Sequence, residues 1–96
     1  MHYFHRTSLP PDVVLQEADT FFGSRLDRET AEGRHRQFAG SIGRITIDVR
    51  PEGGHYTFVD ARTDQVAESE ADKLVKRFLA VVHRRAEPAH QLRGAY

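Results

Sequence analysis

Cysteine is absent from this 96-residue chain, which removes disulfide bonds, thiolate zinc sites and thiol catalysis together and suits a reducing compartment. Tryptophan is absent too, methionine occurs once, and no apolar run approaches a membrane span, which needs roughly 20 consecutive apolar residues. The opening Met1-His2-Tyr3-Phe4-His5-Arg6 carries no apolar leader, so a signal peptide is not expected and the cytoplasm is the expected location. Excess charge of either sign is missing as well. The 14 Lys and Arg balance 14 Asp and Glu, so no overall field draws the chain to nucleic acid or an anionic membrane, and such binding would need a local patch.

What is present fits one domain, expected over residues 1–88 with a tail over 89–96. At this length folding buries roughly 60–65% of the unfolded chain's surface, so the core is small and gains from a partner. Residues 2–7 read as a strand, with Tyr3 and Phe4 as β-favouring aromatics. Pro10-Pro11-Asp12 then starts a helix, since the missing proline N–H would have no intrahelical partner and Asp12 suits the positive end of the dipole. Val14, Ala18, Phe21 and Phe22 form its apolar stripe, and Gly23 stops it after Phe22. Residues 24–33 are polar apart from Leu26 and Ala31 and read as a loop.

From Arg34 the period changes to two. Phe38 sits in a first strand, Gly40-Ser41-Ile42-Gly43 makes a tight connection, and Ile45, Ile47 and Val49 alternate with Arg44, Thr46, Asp48 and Arg50. Pro51-Glu52-Gly53-Gly54 forms the next turn, and His55 to Ala61 a further strand with Tyr56 and Phe58 on one face, Thr57 and Val59 on the other. The last helix has the clearest pattern: Ala67, Ala71, Leu74, Val75, Phe78, Leu79 and Val82 share one face, while Lys73, Lys76, Arg77 and Arg84 take the other. Asp64 or Ser69 caps its start, and Pro88 lies beyond its end. The fold class is therefore α+β, in the order β-α-β-β-β-α. About four strands form an antiparallel sheet, with 2–7 at an edge or against the last strand, both helices lie on one sheet face, and a long helix closes the chain.

That order, with the stretch Tyr3-Phe4-His5-Arg6-Thr7-Ser8-Leu9-Pro10-Pro11-Asp12-Val13-Val14 turning from strand into a proline-started helix, resembles a reduced START-like (helix-grip) domain. The stretch Phe38-Ala39-Gly40-Ser41-Ile42-Gly43-Arg44-Ile45-Thr46-Ile47-Asp48-Val49 is similar to the small proteins of the polyhydroxyalkanoate system, and the two segments together make up about a quarter of the chain. The START-like resemblance implies an apolar ligand held between the last helix and the sheet. With so few strands the pocket would be modest, lined by Phe21, Phe22, Phe38, Tyr56, Phe58 and Phe78.

The remaining constellations have structural explanations. Six histidines invite a metal, but none are spaced i, i+4 on a helix and His2 and His5 point to opposite faces of a strand, so no metal site is expected. Ser8, Ser24, Ser41 and Ser69 precede a helix, open a loop, sit in a turn and offer a cap, and no helix begins directly after Gly40/Gly43 or Gly53-Gly54 to bind phosphate. No catalytic residue and no cofactor are expected. Arg34, Arg36, Arg44, Arg50 and Arg62 fall near strands, and the αβββα order resembles double-stranded RNA-binding domains, but the last helix is approached through Asp64, Glu68 and Glu70, which oppose phosphate. The sequence thus points to a non-catalytic binding or protein-interaction module. Its expected partners are a second copy of the chain, through the strand around Tyr3 or the tail around Leu92 and Tyr96, and a small apolar ligand. An RNA-associated domain and a small helix-grip enzyme are the alternatives.

Overall fold

A computed structural model describes residues 1–87; the tail expected over 89–96, with Leu92 and Tyr96, lies outside the described residues. The elements are β1 (His2–Thr7), α1 (Pro11–Gly23), β2 (Asp27–Glu32), β3 (His35–Gly40), β4 (Gly43–Glu52), β5 (Tyr56–Thr63) and α2 (Glu70–Ala86). The strands form one antiparallel sheet in the order β1-β5-β4-β3-β2. β2 to β5 are a meander, and β1 returns to the far edge beside β5. The class is α+β, with an antiparallel sheet and a C-terminal helix, as the patterning predicts.

The sheet has five strands where about four are expected, and the addition is β2, inside the stretch that reads as a loop. The sequence Asp27-Arg28-Glu29-Thr30-Ala31-Glu32 is exposed at every position except half-buried Thr30, and its register with β3 shifts between Arg28 and Thr30. An edge strand wet on both faces and broken by a bulge has no apolar alternation to betray it.

The helix boundaries follow their chemistry. α1 starts on Pro10 and Pro11 without a side-chain cap, carries Asp12 in its first turn, and runs through Gly23. Of the two candidate caps for α2, Ser69 takes the place: its side chain accepts the Asp72 N–H at 3.1 Å. Asp64 serves the hairpin instead, accepting the Arg44 N–H at 2.8 Å. Ala67 consequently lies ahead of the helix. Glu70 and Asp72 in the first turn, and His83, Arg84 and Arg85 in the last, complement the helix dipole.

Both helices bury their stripes on one face of the sheet. Val14, Ala18 and Phe22 of α1 and Ala71, Val75, Phe78 and Val82 of α2 have no exposed surface, and meet Phe38, Ile45, Ile47, Val59 and Ala61 below. Each large apolar side chain so buried contributes roughly 1.5–3 kcal/mol. Arg85 pairs with Glu17 and ties the two helices together at the surface. Pro51 is tolerated inside β4 because β3 pairs with it only as far as Asp48, so the absent N–H costs no ladder bond on that side. Gly53 (φ 68°) and Gly54 (φ 80°) supply the positive angles of the turn into β5.

Candidate interaction surface

The six aromatic residues expected to line one pocket divide between two faces of the sheet. Phe22 lies 5.1 Å from Phe21, 5.2 Å from Phe38 and 4.9 Å from Phe78, ring centre to ring centre, and Phe22, Phe38 and Phe78 have no exposed surface. These rings fill the space between helices and sheet with one another. Tyr56 and Phe58 stand on the opposite face, which no helix covers: cross-strand partners share a face, and Phe58 lies opposite Arg50 while Tyr56 lies opposite Glu52.

The register aligns the open face into rows. His2, Arg62, Thr46 and Gln37 follow one another across β1, β5, β4 and β3; Phe4, Asp60, Asp48 and His35 form the next row; Arg6, Phe58 and Arg50 the third. In the second row Asp48 and Asp60 are direct neighbours, an arrangement that would repel without counter-charge. Arg62 sits between them, 3.1 Å from Asp48 and 3.8 Å from Asp60, while His35 reaches Asp48 at 2.6 Å and His2 reaches Asp60 at 2.5 Å. Towards β2, Arg44 and Gln37 both donate to Glu29 at 2.9 Å, and those hydrogen bonds hold the Glu29 carboxyl below the usual carboxylate range. A shallow depression of ≈ 350 Å³ opens here, lined by His35, Gln37, Arg44, Thr46, Arg62 and Asp64 among others. Its cations already face carboxylates, so it offers no net field to an anion.

The third row is different in kind. The Arg50 guanidinium lies 4.3 Å and that of Arg6 5.2 Å from the centre of the Phe58 ring, and Phe4 stacks at 5.3 Å. These three leave Phe58 only 6% exposed, but Phe4 itself is 57% and Tyr56 56% exposed. An aromatic corner therefore lies on the open face at its β1 side.

The edges of the sheet also differ. β2 carries Asp27, Glu29 and Glu32 and a bulge, the devices by which edge strands resist further pairing. β1, His2-Tyr3-Phe4-His5-Arg6-Thr7, pairs with β5 residue for residue without a bulge, and contains no proline, lysine or acidic residue. Among the described residues nothing pairs with its outer side. Its inner-face residues lie under α2. The His5 ring is 6.2 Å from that of His83, edge to face, and its Nε2 is buried without a hydrogen-bond partner. Burial first, and the neighbouring His83 second, hold His5 below the usual histidine value. Beside it, burial and then the Asp72 carboxylate push the Tyr3 hydroxyl up, and Lys76 lies 5.8 Å over the ring. Asp72, fully buried, accepts from the Thr63 hydroxyl at 2.8 Å.

Among the described residues no three His, Asp or Glu side chains are grouped to hold a metal, and no helix is long and apolar enough to cross a membrane. Ser24 donates to the Phe21 carbonyl and Ser69 caps α2. In the sequence Phe4 stands out only as a β-favouring aromatic, and Arg44, Arg50 and Arg62 only as arginines near strands, with no sign that they share one face. The signal was the alternation of His2, Phe4 and Arg6 along β1, which becomes legible only once β5 is placed beside it. The sequence matches no family model and no curated protein.

Proposed function

We propose that this chain is a non-catalytic protein-interaction module that acts as a homodimer, joined through β1 and the aromatic corner beside it. The observation that carries this reading is the contrast between the two sheet edges: β2 is bulged and acidic, whereas β1 is regular, uncapped and flanked by exposed Phe4 and Tyr56. An unprotected strand edge next to apolar surface is a site for pairing with another chain. A small core gains stability from such a partner.

The long C-terminal helix across an antiparallel sheet supports the helix-grip likeness at the level of architecture. An apolar ligand between helix and sheet has less support, because Phe22, Phe38 and Phe78 occupy that space in mutual contact. An RNA-associated role is disfavoured by the neutralised open face and by Glu68, Glu70 and Asp72 at the start of α2. Sedimentation at micromolar concentration tests the proposal. The expected result is twice the chain mass for the native sequence and a single-chain mass, with unchanged circular dichroism, for Phe4→Glu. A native chain that sediments as one copy at every concentration would refute it.

A further inference from the structure

We infer that two copies of the chain join edge to edge with Phe4 on the two-fold axis, so that the exposed ring of one copy is covered by Phe4 of the other. The inference rests on the reading of β1 as the dimer contact. Met1 and Thr63 exchange both backbone hydrogen bonds, at 2.9 and 3.0 Å. Opposed residues of an antiparallel pair alternate between bonded and non-bonded. Tyr3, His5 and Thr7 therefore direct their backbone groups to β5, as Met1 does, while those of His2, Phe4 and Arg6 point outward from the sheet. Among the described residues these outward groups have no backbone partner.

A two-fold axis perpendicular to a continuous sheet keeps the faces of the two copies aligned, so the outward residues meet only one another. With the axis at Phe4, Phe4 opposes Phe4 of the partner, His2 opposes Arg6 of the partner on either side, and each of these pairs exchanges two hydrogen bonds. No outward group of β1 is left over. An axis at Tyr3 leaves Arg6 without a strand residue opposite, and an axis at His5 leaves His2 without one, so both registers give up backbone bonds. The side chains favour the same choice. Phe4 is 57% exposed although its ring centre lies 4.3 Å from that of His2 and 5.3 Å from that of Phe58, and what it lacks is a neighbour on the outer side of β1. Directly opposed residues have Cβ atoms about 4.5–5.5 Å apart, which brings the two phenyl rings into the contact range of aromatic pairs. The flanking pairs need no new partner for their basic groups. His2 keeps Asp60 at 2.5 Å, and Arg6 keeps Glu52 at 2.6 Å and its place over Phe58, each within its own copy.

Because the chain lacks cysteine, added thiols map the register. Bonded opposite residues have Cα atoms about 5.5 Å apart, within the span of a disulfide. Phe4→Cys should therefore cross-link to itself under mild oxidation. A one-to-one mixture of His2→Cys and Arg6→Cys chains, both of which retain the Phe4 ring, should give the mixed disulfide. Neither should cross-link alone, since identical thiols would then lie about 13 Å apart along the strands. Glu32→Cys, on β2, should remain uncross-linked. In sedimentation of the full chain, Phe4→Ala should raise the dissociation constant about tenfold or more with circular dichroism unchanged. A native dimer in which the thiols at positions 2 and 6 do not meet, or whose affinity is indifferent to Phe4→Ala, would overturn the inference while leaving the dimer standing. A native chain monomeric at every concentration, or cross-linking at Glu32→Cys, would overturn the reading of β1 as the contact as well.

Discussion

Removal of the Phe78 ring tests whether the four inner phenylalanines are core or cavity lining. Phe78 has no exposed surface, and its ring centre lies 4.9 Å from that of Phe22 and 5.8 Å from that of Phe21. Truncating a fully packed phenylalanine to alanine costs the transfer energy of the ring and the cavity left behind, together about 3–5 kcal/mol. Native domains of this size have total stabilities of about 5–15 kcal/mol, so Phe78→Ala should remove a large fraction of the total. The melting temperature should fall by about 4–8 °C per kcal/mol, hence by tens of degrees. Urea denaturation at fixed protein concentration provides the measurement, because dimerisation would make the midpoint concentration-dependent. An unchanged slope with a lowered midpoint is expected. If the ring instead lined a ligand cavity, its loss would enlarge an existing void and cost far less; a change below about 1 kcal/mol would refute the packed core and restore the pocket.

Two further substitutions probe the β3–β4 hairpin. Gly43 has φ 123°, and a Cβ there would lie 2.7 Å from Asp64 Oδ1. Gly43→Ala should therefore cost about 1–3 kcal/mol in denaturant titration, whereas Gly23→Ala, which meets nothing within 4 Å, should be neutral or slightly stabilising; equal effects would remove the strain argument. The Arg44 N–H and then the Gln65 amide hold the Asp64 carboxyl below its ordinary range. A depressed folded value contributes stability that is present above the unfolded value, near pH 4, and is lost as pH falls through the folded one. Asp64→Asn should accordingly lower stability at neutral pH and flatten the acid limb of a plot of melting temperature against pH, and an acid limb as steep as that of the native chain would count against the assignment.

The elements legible in the sequence are those with one wet and one dry face. α2 announces itself through Leu74, Val75, Phe78 and Val82, all of them buried, and β4 through Ile45, Ile47 and Val49. β2 was not legible for the reason that makes it a good edge: Asp27, Glu29 and Glu32 resist further pairing and leave no apolar alternation to mark a strand. The exchange of caps, Ser69 on α2 and Asp64 on the hairpin, was undetermined because both residues have the chemistry and only the path of the chain past Gly43 decides.

The candidate site was legible in its parts but not in its assembly. Alternation separates Phe58 from Val59, yet both are apolar, and nothing in β5 alone says which of them meets the helices. The decision comes from the neighbouring strand: with Glu52 opposite Tyr56, the hairpin register puts Val59 beside Val49 and Ala61 beside Ile47, under the helices, and leaves Phe58 beside Arg50. Small Ala61 allows the helices to approach closely, and the larger ring goes to the open face. A phenylalanine there needs cover, which Arg50, Arg6 and Phe4 provide until it is 6% exposed. The cover transfers the problem outward, to a Phe4 ring 57% exposed beside an unpaired strand edge. Within the described residues no further layer exists to close it. Two residues on, Arg6 is already committed, lying over Phe58 and 2.6 Å from Glu52, so within one copy β1 holds nothing further that covers Phe4, and the exposed ring and the open strand edge meet at one corner of the sheet.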